Sequence, residues 1–159
     1  MSHSEHTPSG IDETAPVTSR HSIRIAAPIE RVWRLHTDID AWPSWQTDIG
    51  SARIDGPVTP GSTFHWTSAG LTIGSTIHVV EAPGRILWAG TAHGITAIHD
   101  WRFEAHGDET QVHNAESWSG DPVDADTENM RKLLVQSLDS WLDRLRHTAE
   151  GSTHTLTGA

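Results

Sequence analysis

Residues 94–120, "GITAIHDWRFEAHGDETQVHNAESWSG", decide the fold. They read as two alternating strands around a tight turn at Gly107-Asp108. One side of that ribbon carries Ile95, Ala97, His99, Trp101, Phe103, Val112, Asn114, Glu116 and Trp118. Most of these side chains belong in a core, whereas His99, Asn114 and Glu116 do not. A turn at Gly107-Asp108 sets His99 opposite Glu116, Trp101 opposite Asn114 and Phe103 opposite Val112. A turn at His93-Gly94 sets Trp88 opposite His99 and Gly90 opposite Ala97. A turn at Pro83-Gly84 sets Val79 beside Trp88 and Ile77 beside Gly90. One row, Val79, Trp88, His99 and Glu116, then crosses four strands. The other face carries His78, Asp100, Arg102, Glu104, Thr110 and His113 and reads as solvent-facing.

Outward from this ribbon, the chain organises as one domain. "RHSIRIAA" (20–27) alternates as a strand, and Pro28 starts a short helix with Val32, Leu35 and Ile39 as its buried stripe. "DAWPSWQTD" (40–48) is a turn or second short helix. "GSARID" (50–55) is a short strand, and five more strands follow, separated by Gly or Pro signals, as an antiparallel meander. Gly74 and Gly90 inside strands mark bulges or bends. A long helix spans roughly 126–147, with Met130, Leu133, Leu134, Leu138, Trp141, Leu142 and Leu145 at helical spacing. Residues 1–19 and 150–159 lack core-forming patterns and read as loose tails around a domain of 20–149.

The 159 residues carry a formal net charge of −10 with His neutral. No basic cluster offers a nucleic-acid footprint or a hold on an anionic membrane surface. No run spans a bilayer. Without Cys there is no disulfide, thiol nucleophile or thiolate metal site. Twelve His are scattered without metal-ligand spacing, so neither metal nor cofactor is expected. A cytoplasmic protein, monomer or homodimer, is the default.

Directly opposed side chains in a sheet are about 4.5–5.5 Å apart at Cβ, so His99 and Glu116 are within reach of each other. Two readings stand side by side. The pair is either a mutually satisfied polar contact in a closed core or part of a ligand cavity.

The order of elements is that of a helix-grip fold. "SIRIAAPIERVW" (22–33), "DIDAWPSW" (38–45), "AIHDWRFE" (97–104) and "TQVHNAESWSG" (110–120) resemble segments of the START-like (SRPBCC) superfamily. The resemblance is strongest to its polyketide cyclase/dehydrase branch and covers roughly 20–148. It implies an α+β fold: a curved antiparallel sheet wrapped around a long C-terminal helix, with two short helices after the first strand. It further implies an apolar cavity between sheet and helix and a hydrophobic small-molecule ligand. On that reading Trp66, Ile77, Val79, Trp88, Trp101, Phe103 and Trp118 line the sheet side, and Met130, Leu134, Leu138 and Trp141 the helix side. The expected chemistry is cyclisation and dehydration of an aromatic or polyketide-like compound. His99 serves as acid/base, Glu116 orients it, and Asn114 donates toward a developing oxyanion. A non-catalytic carrier, and an interaction module with exposed Trp42 and Trp45, are the alternatives.

Overall fold

The computed structural model describes residues 8–158, with side chains through Gly151. The fold is α+β. One antiparallel sheet has the strand order β1-β7-β6-β5-β4-β3-β2. The strands are β1 (Val17–Ile25), β2 (Ile49–Ile54), β3 (Thr63–Ser68), β4 (Leu71–Glu81), β5 (Arg85–Ala92), β6 (Ile95–His106) and β7 (Glu109–Ser119). Between β1 and β2 lie helix α1 (Ile29–Thr37) and a 3-10 turn (Ile39–Ser44). A short helix α2 (Asp121–Ala125) leads into α3 (Thr127–Gly158). The sheet grips α3 through period-two alternation: Ile25, Phe64, Ile77, Trp88, Trp101, Phe103 and Val112 all face inward and are buried.

The ribbon around Gly107-Asp108 forms as its pattern requires. His99 pairs with Glu116, Trp101 with Asn114 and Phe103 with Val112. Trp88 pairs with His99, and Gly90 with Ala97. The β4–β5 register differs from expectation. Glu81 pairs with Arg85, so the loop contains Ala82, Pro83 and Gly84 rather than two residues. An irregularity between Ile77 and Val79 then restores the face of Ile77, which sits beside Trp88. Val79 instead pairs with Leu87, on the strand position next to Asp100, and leaves the inner face. Val80, paired with Ile86, packs on the core in its place. The true row is Ile77, Trp88, His99, Glu116 and, on β1, Ser19. An added loop residue flips every following side chain until a bulge flips them back.

Gly74 and Gly90 are not the bulge. A Cβ at Gly90 would stand 2.1 Å from the Gly74 carbonyl oxygen, so these glycines allow backbones to approach where the sheet bends.

The outer face is less wet than its polarity implies. Asp100 is buried beneath a fork of Arg85 nitrogens, both at 3.1 Å, and Arg102 adds a contact at 3.3 Å. Hydrogen bonding to Asp100 is the main reason the Arg85 pKa is raised, and nearby carboxylate charge adds to it against the cost of burial. Arg85 also donates to the Ser9 carbonyl, and the Asp12 amide donates to Ser117. The segment from Ser9 to Asp12 is therefore fastened to the sheet, and β1 starts at Val17 rather than Arg20. Residues 1–7 lie outside the described residues. At the other end α3 continues past position 150 to Gly158. Thr110 belongs to the inner face: it is fully buried and its hydroxyl donates to the Ala27 carbonyl.

Leu133, counted in the apolar stripe of α3, is 44% exposed. The buried stripe is Leu134, Leu138, Trp141, Leu142, Leu145 and Ala149. Leu134 and Leu138 pack with Met130, Val17, Ile95 and Trp118 as a second, smaller cluster. No helix among the described residues is long and apolar enough to cross a membrane.

Candidate functional site

The polar residues of the opening stretch meet between these two apolar clusters. His99 Nδ1 stands 2.8 Å from Glu116 Oε1. The second carboxylate oxygen accepts from the Trp118 indole N–H at 2.8 Å. Each Glu116 oxygen thus has a donor, and the contact assigns the imidazole proton to Nδ1. Nε2 of His99 makes no hydrogen bond among the described residues and is left as the basic nitrogen. The imidazole lies flat on Trp88, with centroids 3.8 Å apart and planes 18° apart. Strand register provides the carboxylate, and the neighbouring indole fixes the ring plane.

Asn114 is buried one row away, opposite Trp101 on β6 and His21 on β1. Neither its amide oxygen nor its amide nitrogen has a partner. The indole N–H groups of Trp45, Trp88 and Trp101 are likewise buried and unpartnered. Buried polar groups are normally satisfied, and each exception costs roughly 1–3 kcal/mol. These unpaired groups lie within one apolar interior.

Sequence reasoning missed His36. It projects from α1 into the core, where its ring lies 4.4 Å from Trp101 and 5.4 Å from Phe103. Both ring nitrogens are buried without a partner. Burial pushes its pKa down to about 3, and the nearby His99 adds to the effect. The imidazole is therefore neutral, with one donor and one acceptor to offer. The signal was helical spacing: Val32 and His36 are one turn apart and both buried, while the more apolar Leu35 is only half-buried.

Of the expected ligand contacts, Trp66, Ile77, Trp88, Trp101, Phe103, Leu134, Leu138 and Trp141 are buried between sheet and α3. Trp118 and Met130 are half-buried in the smaller cluster, and Val79 is displaced as described. Trp42 is fully buried and Trp45 is 7% exposed. Both belong to the interior rather than to a surface patch. Trp42 touches Trp66, Trp88 and Trp141 at centroid separations of 5.0–6.0 Å. The tryptophan excess is thus concentrated on one aromatic shell around His36 and His99. A cleft of about 320 Å³ between α3 and the β2–β3 side is bordered by Leu133, Ala69 and Trp141, the last a member of that shell. No group of His, Asp and Glu among the described residues is arranged to hold a metal ion.

Similar folds occur in solved structures. A hypothetical protein from Helicobacter pylori superposes with a TM-score of 0.76 at 16% identity, over 92% of this chain and 99% of that one. A START superfamily protein from Mycobacterium smegmatis gives 0.74 at 16% identity, over 84% and 97%. The Zhui aromatase/cyclase from a Streptomyces species gives 0.72 at 18% identity, over 84% and 93%. At these identities the likeness is one of fold. Comparison with curated proteins by sequence returns no match. A family model described as polyketide cyclase/dehydrase and lipid transport matches residues 16–150. That span includes every strand from β1 to β7. With that match over most of its length, the chain belongs to the polyketide cyclase/dehydrase and lipid transport family.

Proposed function

We propose that the protein binds an aromatic or polyketide-like molecule between the sheet and α3, and catalyses its cyclisation and dehydration by proton transfer. The observation that carries this reading is the buried His99–Glu116 pair beside unpartnered Asn114 and His36. A plain hydrocarbon chain would leave those groups unpaired, whereas carbonyl and hydroxyl oxygens would satisfy them.

In the proposed reaction His99 Nε2 removes a proton from carbon next to a carbonyl. The enolate attacks a second carbonyl of the same chain, and the new alkoxide recovers the proton from His99. Loss of water needs the same two moves: removal of a C–H proton and protonation of the leaving hydroxyl. Glu116 keeps Nδ1 protonated and the ring oriented. The Asn114 amide donates to the carbonyl oxygen as charge develops there. Aromatic walls hold the chain folded, so the reacting carbons meet without further ordering.

Non-catalytic carriage is the second reading. The stacking of His99 on Trp88 would hold the ring in place whether or not a proton moves. An organic-solvent extract of natively purified protein, examined by mass spectrometry, tests the ligand class. The expected result is a near-stoichiometric oxygenated aromatic compound. A saturated acyl lipid in its place contradicts the assignment. Retained binding without turnover, unchanged by His99→Gln, supports carriage.

A further inference from the structure

The protein has eleven Lys and Arg against twenty-one Asp and Glu. With acid in such excess, a cation has many possible partners, and seven of the eleven stand in ion pairs. Among the described residues, Arg31, Arg34, Lys132 and Arg144 make no ion pair or hydrogen bond through their side chains. Three of these four cluster where α1, the 3-10 turn and α3 come together.

Arg31 and Arg34 line a cleft of about 440 Å³ together with Leu35, Asp38, Ser44, Trp45 and Thr148. Arg144 stands one turn before Thr148, on the same side of α3. The Nε atoms of Arg31 and Arg144 are buried without a partner. Arginine often lays its stem on apolar surface and leaves its head in water. That habit explains exposed Arg34, but not two Nε donors taken out of water and left unpaired. An oxyanion docked side-on to a guanidinium engages Nε–H together with a terminal N–H, a geometry specific to arginine.

We infer that this cleft is an anion site for the phosphate group of a small organic phosphate ester. The two guanidinium groups that line the cleft match the charge of a phosphate dianion, and the Trp45 indole provides an apolar wall for the organic part. The overall negative charge of the protein repels anions at a distance. Local recognition must therefore outweigh the general field, and added salt will weaken it. Asp38 is the one carboxylate lining the cleft and opposes the ligand. This inference does not depend on the reaction proposed for the interior.

Calorimetric titration of the intact protein with phenyl phosphate tests it, with benzoate as the carboxylate counterpart. The expected result is saturable binding, at least about tenfold tighter than benzoate. Arg34→Gln, an exposed position that leaves the core untouched, should weaken binding about tenfold, equivalent to one ordinary charged contact. Asp38→Asn should strengthen it. Absence of saturable binding at millimolar phenyl phosphate overturns the inference. Binding that Arg34→Gln and Arg31→Gln both leave unchanged, or that benzoate matches, overturns it as well.

Discussion

His99→Ala is expected to reduce turnover of a cyclisable substrate by about 10²–10⁴-fold, the usual contribution of a positioned acid/base. The loss should fall on kcat, because the imidazole is asked to move protons rather than to hold the substrate. Glu116→Gln should give a smaller loss of the same kind. An amide at that position can still meet the Trp118 N–H through its oxygen, but it weakens the hold on Nδ1–H, which now lies 2.8 Å from a carboxylate oxygen. Single-turnover kinetics of the two variants, with folding checked by circular dichroism, measure both effects. Full turnover in a folded His99→Ala variant would remove the proton-transfer role.

Acid should destabilise the protein through His36 in particular. Burial holds this imidazole at about 3 in the folded chain, against 6.5 as the ordinary value. Below that ordinary value the unfolded chain takes up a proton that the folded chain refuses until the pH nears its depressed pKa. Stability is therefore complete above the unfolded pKa and is lost as pH falls through the window between the two. At about pH 4.5 the loss from this one residue is about 3 kcal/mol, at roughly 1.4 kcal/mol per pH unit. His36→Leu keeps the site filled and removes the proton. Urea unfolding at neutral pH and at about pH 4.5 should show the wild type losing about 3 kcal/mol more than the variant. Equal losses in the two proteins would show that His36 is not buried neutral.

The readable and unreadable parts of the chain differ for physical reasons. The β6–β7 pairing was legible because Gly107-Asp108 makes a short turn, and alternation over eleven opposed positions leaves one register that buries the apolar face. The β4–β5 pairing was not, because a three-residue loop and a bulge cancel in parity and leave the hydrophobic pattern nearly unchanged. Val79 and Val80 are adjacent and equally apolar, so composition could not choose between them. His36 was hidden by the assumption that the more hydrophobic Leu35 must face inward. Asp100 read as a solvent residue because its cover is the polar Arg85 side chain, held in turn by the Ser9 carbonyl. Hydrophobic patterning reports faces of regular elements. It does not report which loop lies on top of them, nor which polar side chain the interior has been built to keep.

An oxygenated aromatic molecule is expected to sit in the aromatic shell around His99. Heteronuclear NMR of the eight Trp indole N–H groups during titration with a hydroxylated anthraquinone measures this directly. The predicted result is saturable shifts at Trp88 and Trp101, whose N–H groups are buried and unpaired, accompanied by a shift of the His99 ring nitrogens. Saturating ligand that leaves Trp88, Trp101 and His99 unmoved would contradict the account.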